Sequence, residues 1–237
     1  MNRRRSAFSL VELLIVVAII GIIAGFGVPA LQGVLRGSSL NQAASQLTDT
    51  LSLARQYSIS KNRIVEVRFY RFGDPEQPGE KNTDPSTGQF RAFQFFEIND
   101  TGIIIPAGKY QRLPDTIIMN SGPSGVGTLS SLLSTSLNRI VLSTSPSFRK
   151  DVNPELPRGV GQKYDYAWFR FLPDGSTDLP PTGVAGTPTA NGRYFITVHA
   201  LNDLQRTSGD TVPPPDFFTW QIEPVSGTSK TFKPGIK

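Results

Sequence analysis

The chain has 237 residues, 38% of them apolar and 18% charged, a balance that allows one or two folded domains and excludes both a disordered tail and a polytopic membrane protein. Cysteine is absent and His199 is the single histidine, which removes disulfides, thiolate metal sites and cysteine nucleophiles and leaves few routes to general-base catalysis. The formal net charge is +5, yet Arg3, Arg4 and Arg5 supply three of those charges, and without residues 1–7 the balance is 21 basic against 19 acidic residues.

The first predicted element is a helix. After the short basic segment the chain turns apolar, and Leu13 to Ala30 is 18 residues without a charge. At the rise of a helix this is about 27 Å, close to the hydrocarbon thickness of a bilayer. One membrane span fits, and the arginines before it place the N-terminus in the cytoplasm and everything after residue 31 on the far side. The competing reading is a secretory signal peptide, with Val28-Pro29-Ala30 as a small-residue cleavage site before Leu31. Two features oppose it: the apolar run exceeds the usual h-region, and it carries Glu12 near its start. A carboxylate at membrane depth costs a few kcal/mol unless it has a cationic partner or a function. The arginines lie seven to nine residues upstream, more than one helical turn away. A cut between Ala7 and Phe8 supplies a partner, because the new α-amino group stands four residues before Glu12, one turn in a helix or an intersubunit ion pair between staggered helices.

Ala7-Phe8-Ser9-Leu10-Val11-Glu12, after a basic leader and before an unbroken apolar helix, resembles the type IV prepilin and pseudopilin processing motif. That motif usually has Gly where this chain has Ala7. The resemblance implies that a membrane-embedded prepilin peptidase cuts after Ala7 and methylates the Phe8 amine. Glu12 then recruits the subunit into a growing filament by pairing with a neighbour's N-terminus. Other pilin or pseudopilin subunits and the membrane are the implied partners, and this chain is the peptidase's substrate, not an enzyme.

Within the apolar run, Ala18, Gly21 and Gly25 share one helical face, and Gly21 to Gly25 is a GxxxG, a pattern for close helix packing or a chance occurrence in a glycine-tolerant segment. Pro29 removes a backbone donor and is expected to kink or locally melt the helix between its membrane and outer halves. Beyond it, Leu40, Ala44, Leu47, Leu51, Ala54 and Tyr57 recur at steps of three and four among polar residues, which predicts an amphipathic helix docked on a sheet and ending near Ser60.

The period then changes to two. Strands are predicted over Ile64–Phe72, Phe90–Ile98, Gly102–Ile105, Thr116–Met119, Arg139–Ser143, Ala167–Leu172, Tyr194–Ala200 and Phe217–Ile222. Polar Gly- and Pro-rich stretches over 73–89, 145–163, 173–193 and 207–216 read as long surface excursions, and 121–136 as a loop or one short helix. Phe93 and Phe95 share a strand face while Phe96 points oppositely, so a loop or a neighbouring subunit is expected to cover one side. The fold class is therefore α+β: a leader over 1–7, a transmembrane and assembly helix over 8–31, an amphipathic half over 32–61, and a globular antiparallel β domain with long loops over 62–237.

Leu53-Ala54-Arg55-Gln56-Tyr57-Ser58, followed by Lys61-Asn62-Arg63 and a strand, is similar to the helix-to-strand junction of H-type minor pseudopilins and FimT-like minor pilins. The run from Phe169 to Gly175 resembles their later strand-and-turn pattern, and the long loops resemble the pilin-like cassette family called Verru_Chthon protein D. The implied role is a minor pseudopilin of a type IV pilus or type II secretion-type filament in the inner membrane.

Catalytic patterns are missing: there is no P-loop, no nucleophile elbow, no HExxH and no dinucleotide fingerprint. No cofactor is expected. His199 reads as an ordinary strand residue. Asp174 and Asp178 in DGSTD offer oxygens to calcium, but the stretch lacks the EF-hand pattern and is read as a turn, so no metal is expected. FimT-like minor pilins include DNA-binding members. Here Arg63, Arg68, Arg71, Arg91, Lys109 and Arg112 are interspersed with acids, and a mature charge near +2 is a weak footprint for a polyanion. If nucleic acid binds, the tail residues Lys230, Lys233 and Lys237 are the first place for it.

Overall fold

The computed structural model of the protein describes residues 9–81, 83–120, 130–133, 139–142, 147–148, 162–180, 194–203 and 214–233, with the side chains of 24–34 and 147–148 outside the description. The chain divides into two compact units, Met1–Ser38 and Ser39–Lys237. One helix, α1, runs over Leu10–Lys61, 52 residues. The helix continues through Pro29.

α1 ends one residue later than the spacing predicts. Asn62 adopts the left-handed conformation, φ 53°, and the amides of Asn62 and Arg63 donate to Ile59 O at 3.3 Å and Ser58 O at 3.1 Å. These two bonds are a Schellman cap, which an asparagine tolerates better than most side chains and which turns the chain directly into the first strand.

In the second unit the predicted apolar stripe is the buried face of the helix. Leu40, Ala43, Ala44, Leu47, Leu51 and Ala54 are buried and share one cluster with Val65, Val67, Phe69, Phe93, Phe169, Trp220 and Ile222. Each fully buried leucine contributes about 1.5–3 kcal/mol. Tyr57 is only partly buried at the end of the stripe, and its hydroxyl donates to Glu97 Oε2 at 2.7 Å. Trp220 carries its one polar atom to the helix, the indole N–H donating to Thr48 Oγ1 at 2.9 Å.

Among the described residues the sheet has ten strands, all paired antiparallel: β1 Ile64–Phe72, β2 Gln89–Ile98, β3 Ile104–Pro106, β4 Gln111–Arg112, β5 Ile117–Met119, β6 Ile140–Val141, β9 Asp165–Phe171, β10 Tyr194–Ala200, β11 Phe217–Ile222 and β12 Ser229–Phe232. Their order is β12-β11-β10-β5-β2-β1-β9-β6, with β3 and β4 also on β2. β7 Ser147–Phe148 and β8 Gln162–Lys163 pair separately. Three predicted strands, Ile64–Phe72, Tyr194–Ala200 and Phe217–Ile222, have the observed bounds. Gly102 stands outside β3 because it closes a turn at φ 79°, its amide donating to Asn99 O at 2.9 Å. Of the stretch 121–136, Ser131–Leu133 forms a single 3-10 turn that buries Leu132 and Leu133, and residues 121–129 and 134–136 lie outside the described residues.

β2 carries an irregularity that the alternation hides. Tyr70 pairs with Ala92 but Arg71 pairs with Phe90, so Arg91 is an extra residue in the ladder. This bulge puts Phe90 on the same face as Phe93 and Phe95, inside the main core. Phe96 faces the other way, as expected, and packs with Tyr70, Phe72 and Ala92 beneath Tyr110, Tyr164 and Tyr166. The chain's own segments therefore cover that side. Burial pushes the Tyr70 phenol well above its ordinary value.

Two turns beside the helix meet backbone to backbone. Gly175 (φ 82°) follows β9 and Gly227 (φ 64°) precedes β12. A Cβ built on Gly227 lies 2.0 Å from Gly175 O. Gly227→Ala is expected to lower stability by more than the ~1–2 kcal/mol that a left-handed alanine costs, because the contact adds to the strain. Thermal unfolding of the full chain checks this, and an unchanged midpoint contradicts the close approach.

Candidate functional site

The N-terminal candidate is built from the first turn of α1. Ser9 precedes the helix, and its hydroxyl accepts from the amide of Val11 at 3.3 Å, while its own amide donates to Glu12 Oε2 at 2.9 Å. The Glu12 contact is that of a capping box, while the Ser9 hydroxyl caps the second helical amide in place of the third, and the carboxylate stands at the positive end of the helix dipole. Glu12 thus has a local role before any cleavage. Its carboxylate reaches back as far as the amide of Ser9, the first described residue. Ala7 and Phe8 themselves lie outside the described residues.

From Leu10 to Ile23 every large apolar side chain is exposed, Leu10 at 79% and Val16, the least, at 48%. A helix that is apolar on all sides needs lipid or other helices around it. A Cβ added at Gly21 meets nothing within 4 Å, so that face of the chain is open to a close neighbour. Gly25 and Pro29 lie within the helix, where nothing is described beyond the backbone. Among the described residues no helix is long and apolar enough to cross a membrane. The second half of the expected span, 24–31, falls among the side chains outside the description.

The other candidates resolve into structural contacts. His199 is fully buried. Its Nδ1 lies 2.8 Å from Ala200 O and its Nε2 2.8 Å from Asn120 Nδ2. A carbonyl cannot donate, so Nδ1 carries the proton and Nε2 accepts from the amide, which fixes a neutral tautomer. In DGSTD, Asp174 Oδ1 accepts from the Ser176 hydroxyl at 2.6 Å and its amide at 2.9 Å. The same two donors hold the Asp174 carboxyl below the usual carboxylate range. Asp178 accepts from Arg139 Nη1 at 2.7 Å and the Arg170 amide at 2.8 Å. Both carboxylates are committed to a turn and its neighbours. Among the described residues no group of three or more His, Asp or Glu side chains could hold a metal ion.

The arginines weighed for nucleic acid each meet carboxylates. Arg63 pairs with Asp100, Arg68 with Glu66, Arg71 with Asp165, Arg91 with Glu80, and Arg112 with Asp74 and Asp115. Phosphates would have to displace these partners. Lys230 is exposed on β12, exposed Lys233 has its ammonium 5.1 Å from the Phe218 ring centre, and Lys237 lies outside the described residues.

The capping box escaped the reading of the sequence, although Ser9-x-x-Glu12 before an apolar run is its ordinary signature. In the sequence Arg55 stands only within the Leu53-to-Ser58 junction pattern. Its contacts, 120 and 171 residues away, leave no local signal.

Residues 2–28 match the family model of the prokaryotic N-terminal methylation motif, the prepilin-type motif of type IV pilins and pseudopilins. No curated protein and no solved structure matches the chain. The motif supports a pilin-like subunit, processed by prepilin peptidase and assembled with other such subunits, and points to a structural subunit.

Proposed function

We propose that the chain is a minor pseudopilin-like subunit of a type IV pilus or type II secretion-type filament. Residues 8–31 hold it in the inner membrane, N-terminus cytoplasmic and β domain on the far side, until it enters the filament. Cleavage after Ala7 frees the Phe8 amine, methylation leaves that amine basic, and Glu12 pairs with the amine of a neighbouring subunit. The apolar helices then exchange lipid contacts for one another, with Gly21 and Gly25 allowing close approach and Pro29 giving the helix room to adjust.

The observation that carries this reading is a processing motif that runs into a helix whose large apolar side chains are exposed from Leu10 to Ile23. A buried ion pair with excellent geometry offsets the desolvation of both charges, and either charge alone does not. Cells lacking prepilin peptidase test it. There the chain should keep residues 1–7 and be absent from sheared filaments, whereas with the peptidase it should sediment with them. A leader-bearing chain found inside filaments contradicts the proposal.

A further inference from the structure

Arg55 projects from α1 to the place where the two glycine turns meet. Its Nε donates to Gly175 O and to Ser226 O, both at 3.1 Å. One N–H is thus shared by carbonyls from two separate turns, which locks one edge of the guanidinium. Its two terminal nitrogens have no hydrogen-bond partner among the described residues. They keep the end-on fork that receives a carboxylate through two parallel bonds.

The guanidinium borders a cleft of about 230 Å³. Buried Leu51, Phe171 and Ile222 give it an apolar lining, and Ser52, Gln56 and Ser229 add neutral polar groups. No carboxylate is among the lining residues, so the positive charge is unanswered from within. Ser52 and Gln56 are exposed, so the cleft opens to solvent along the helix. A side chain can enter while the polypeptide that carries it stays outside.

We propose that this cleft receives an acidic side chain of another polypeptide, the carboxylate on the terminal nitrogens of Arg55 and the methylenes against Leu51 and Ile222. Arginine suits the task better than lysine, because its fork is planar and already fixed by the two carbonyls. The inference concerns the unit Ser39–Lys237 alone and does not depend on the role in a filament.

The test is a titration of the ¹⁵N-labelled full chain in detergent micelles, following the Arg55 Nε–H and the Gly227 and Ser229 amides. The probes are N-acetyl-glutamate N-methylamide, its glutamine counterpart and free glutarate. The glutamate probe should shift these signals saturably, less so at high salt, and the glutamine probe should not. Ser52→Glu places a carboxylate one helical turn from Arg55 without touching its carbonyl contacts, and should weaken binding about tenfold or more by occupying the fork. Arg55→Lys, with its folding read from the same spectrum, should weaken it likewise. Equal shifts from the glutamine probe, unchanged binding in Ser52→Glu, or binding of glutarate alone would each overturn the proposal.

Discussion

Replacing Glu12 by alanine is expected to leave the leader cleavable and to keep the processed chain out of filaments. In the proposed filament the replaced group is one half of an ion pair buried among apolar helices. Removing one partner of such a pair costs about 3–5 kcal/mol, because the remaining charge stays desolvated and uncompensated. At 1.4 kcal/mol per factor of ten this is a loss of about 10²–10³ or more in incorporation, measured as the ratio of filament to membrane-bound subunit. Alanine also removes the contact to the Ser9 amide. Glu12→Gln separates the two effects, since glutamine serves a capping box as well as glutamate does but carries no charge. The charge-pairing account predicts that Glu12→Gln fails to assemble as Glu12→Ala does. Normal incorporation of Glu12→Gln would mean that capping alone suffices.

Glu80→Ala has the largest expected effect on the β domain. Arg91, the extra residue of the β2 bulge, is only 1% exposed and Glu80 8%. Two bonds join them, Nη1 to Oε2 at 2.5 Å and Nη2 to Oε1 at 2.9 Å, and Glu80 Oε2 also accepts from the Asp74 amide at 2.8 Å. Alanine strands the guanidinium in the core, at a cost of about 3–5 kcal/mol. Against a usual stability of about 5–15 kcal/mol this lowers the unfolding midpoint by roughly 6–20 °C, measured by circular dichroism on the full chain. Arg91 Nε is already buried without a partner among the described residues. Replacing both members, as Glu80→Leu with Arg91→Met, should therefore recover most of the loss. A double variant as unstable as Glu80→Ala contradicts this account.

The legible parts of the fold are those whose periodicity is long and uninterrupted. Nine residues of alternating burial preference define β1, and the stripe from Leu40 to Ala54 defines the packed face of the helix. β4, with two residues, and β12, with four, are too short for a period to register. Their position comes from the neighbours they pair with, Phe93 and Ala92 for β4, Thr219 to Ile222 for β12. The bulge at Arg91 shifts the alternation by one residue, which is why the aromatic run from Phe90 to Phe96 looks irregular in the sequence and is orderly in the sheet. Glu66 alternates with the core residues Val65 and Val67 and so lies on the other face of β1. It is nevertheless only 3% exposed, held at 2.7 Å by Arg68 and 2.9 Å by Arg170, and the Arg68 guanidinium, 4.4 Å from the Phe96 ring centre and 4.6 Å from that of Tyr166, covers that side.

The same distinction holds for the candidate sites. Glu12 is conspicuous because a charge inside an apolar helix needs a local reason, and its observed contact is three residues away. The Arg55 cleft joins a helix to turns far along the chain, so no spacing announces it.

The intact mass of the protein extracted from membranes tests the central claim most directly. The account predicts a chain that begins at Phe8 and carries one added methyl group. A chain that begins at Leu31, or one that retains residues 1–7 where prepilin peptidase is active, contradicts it.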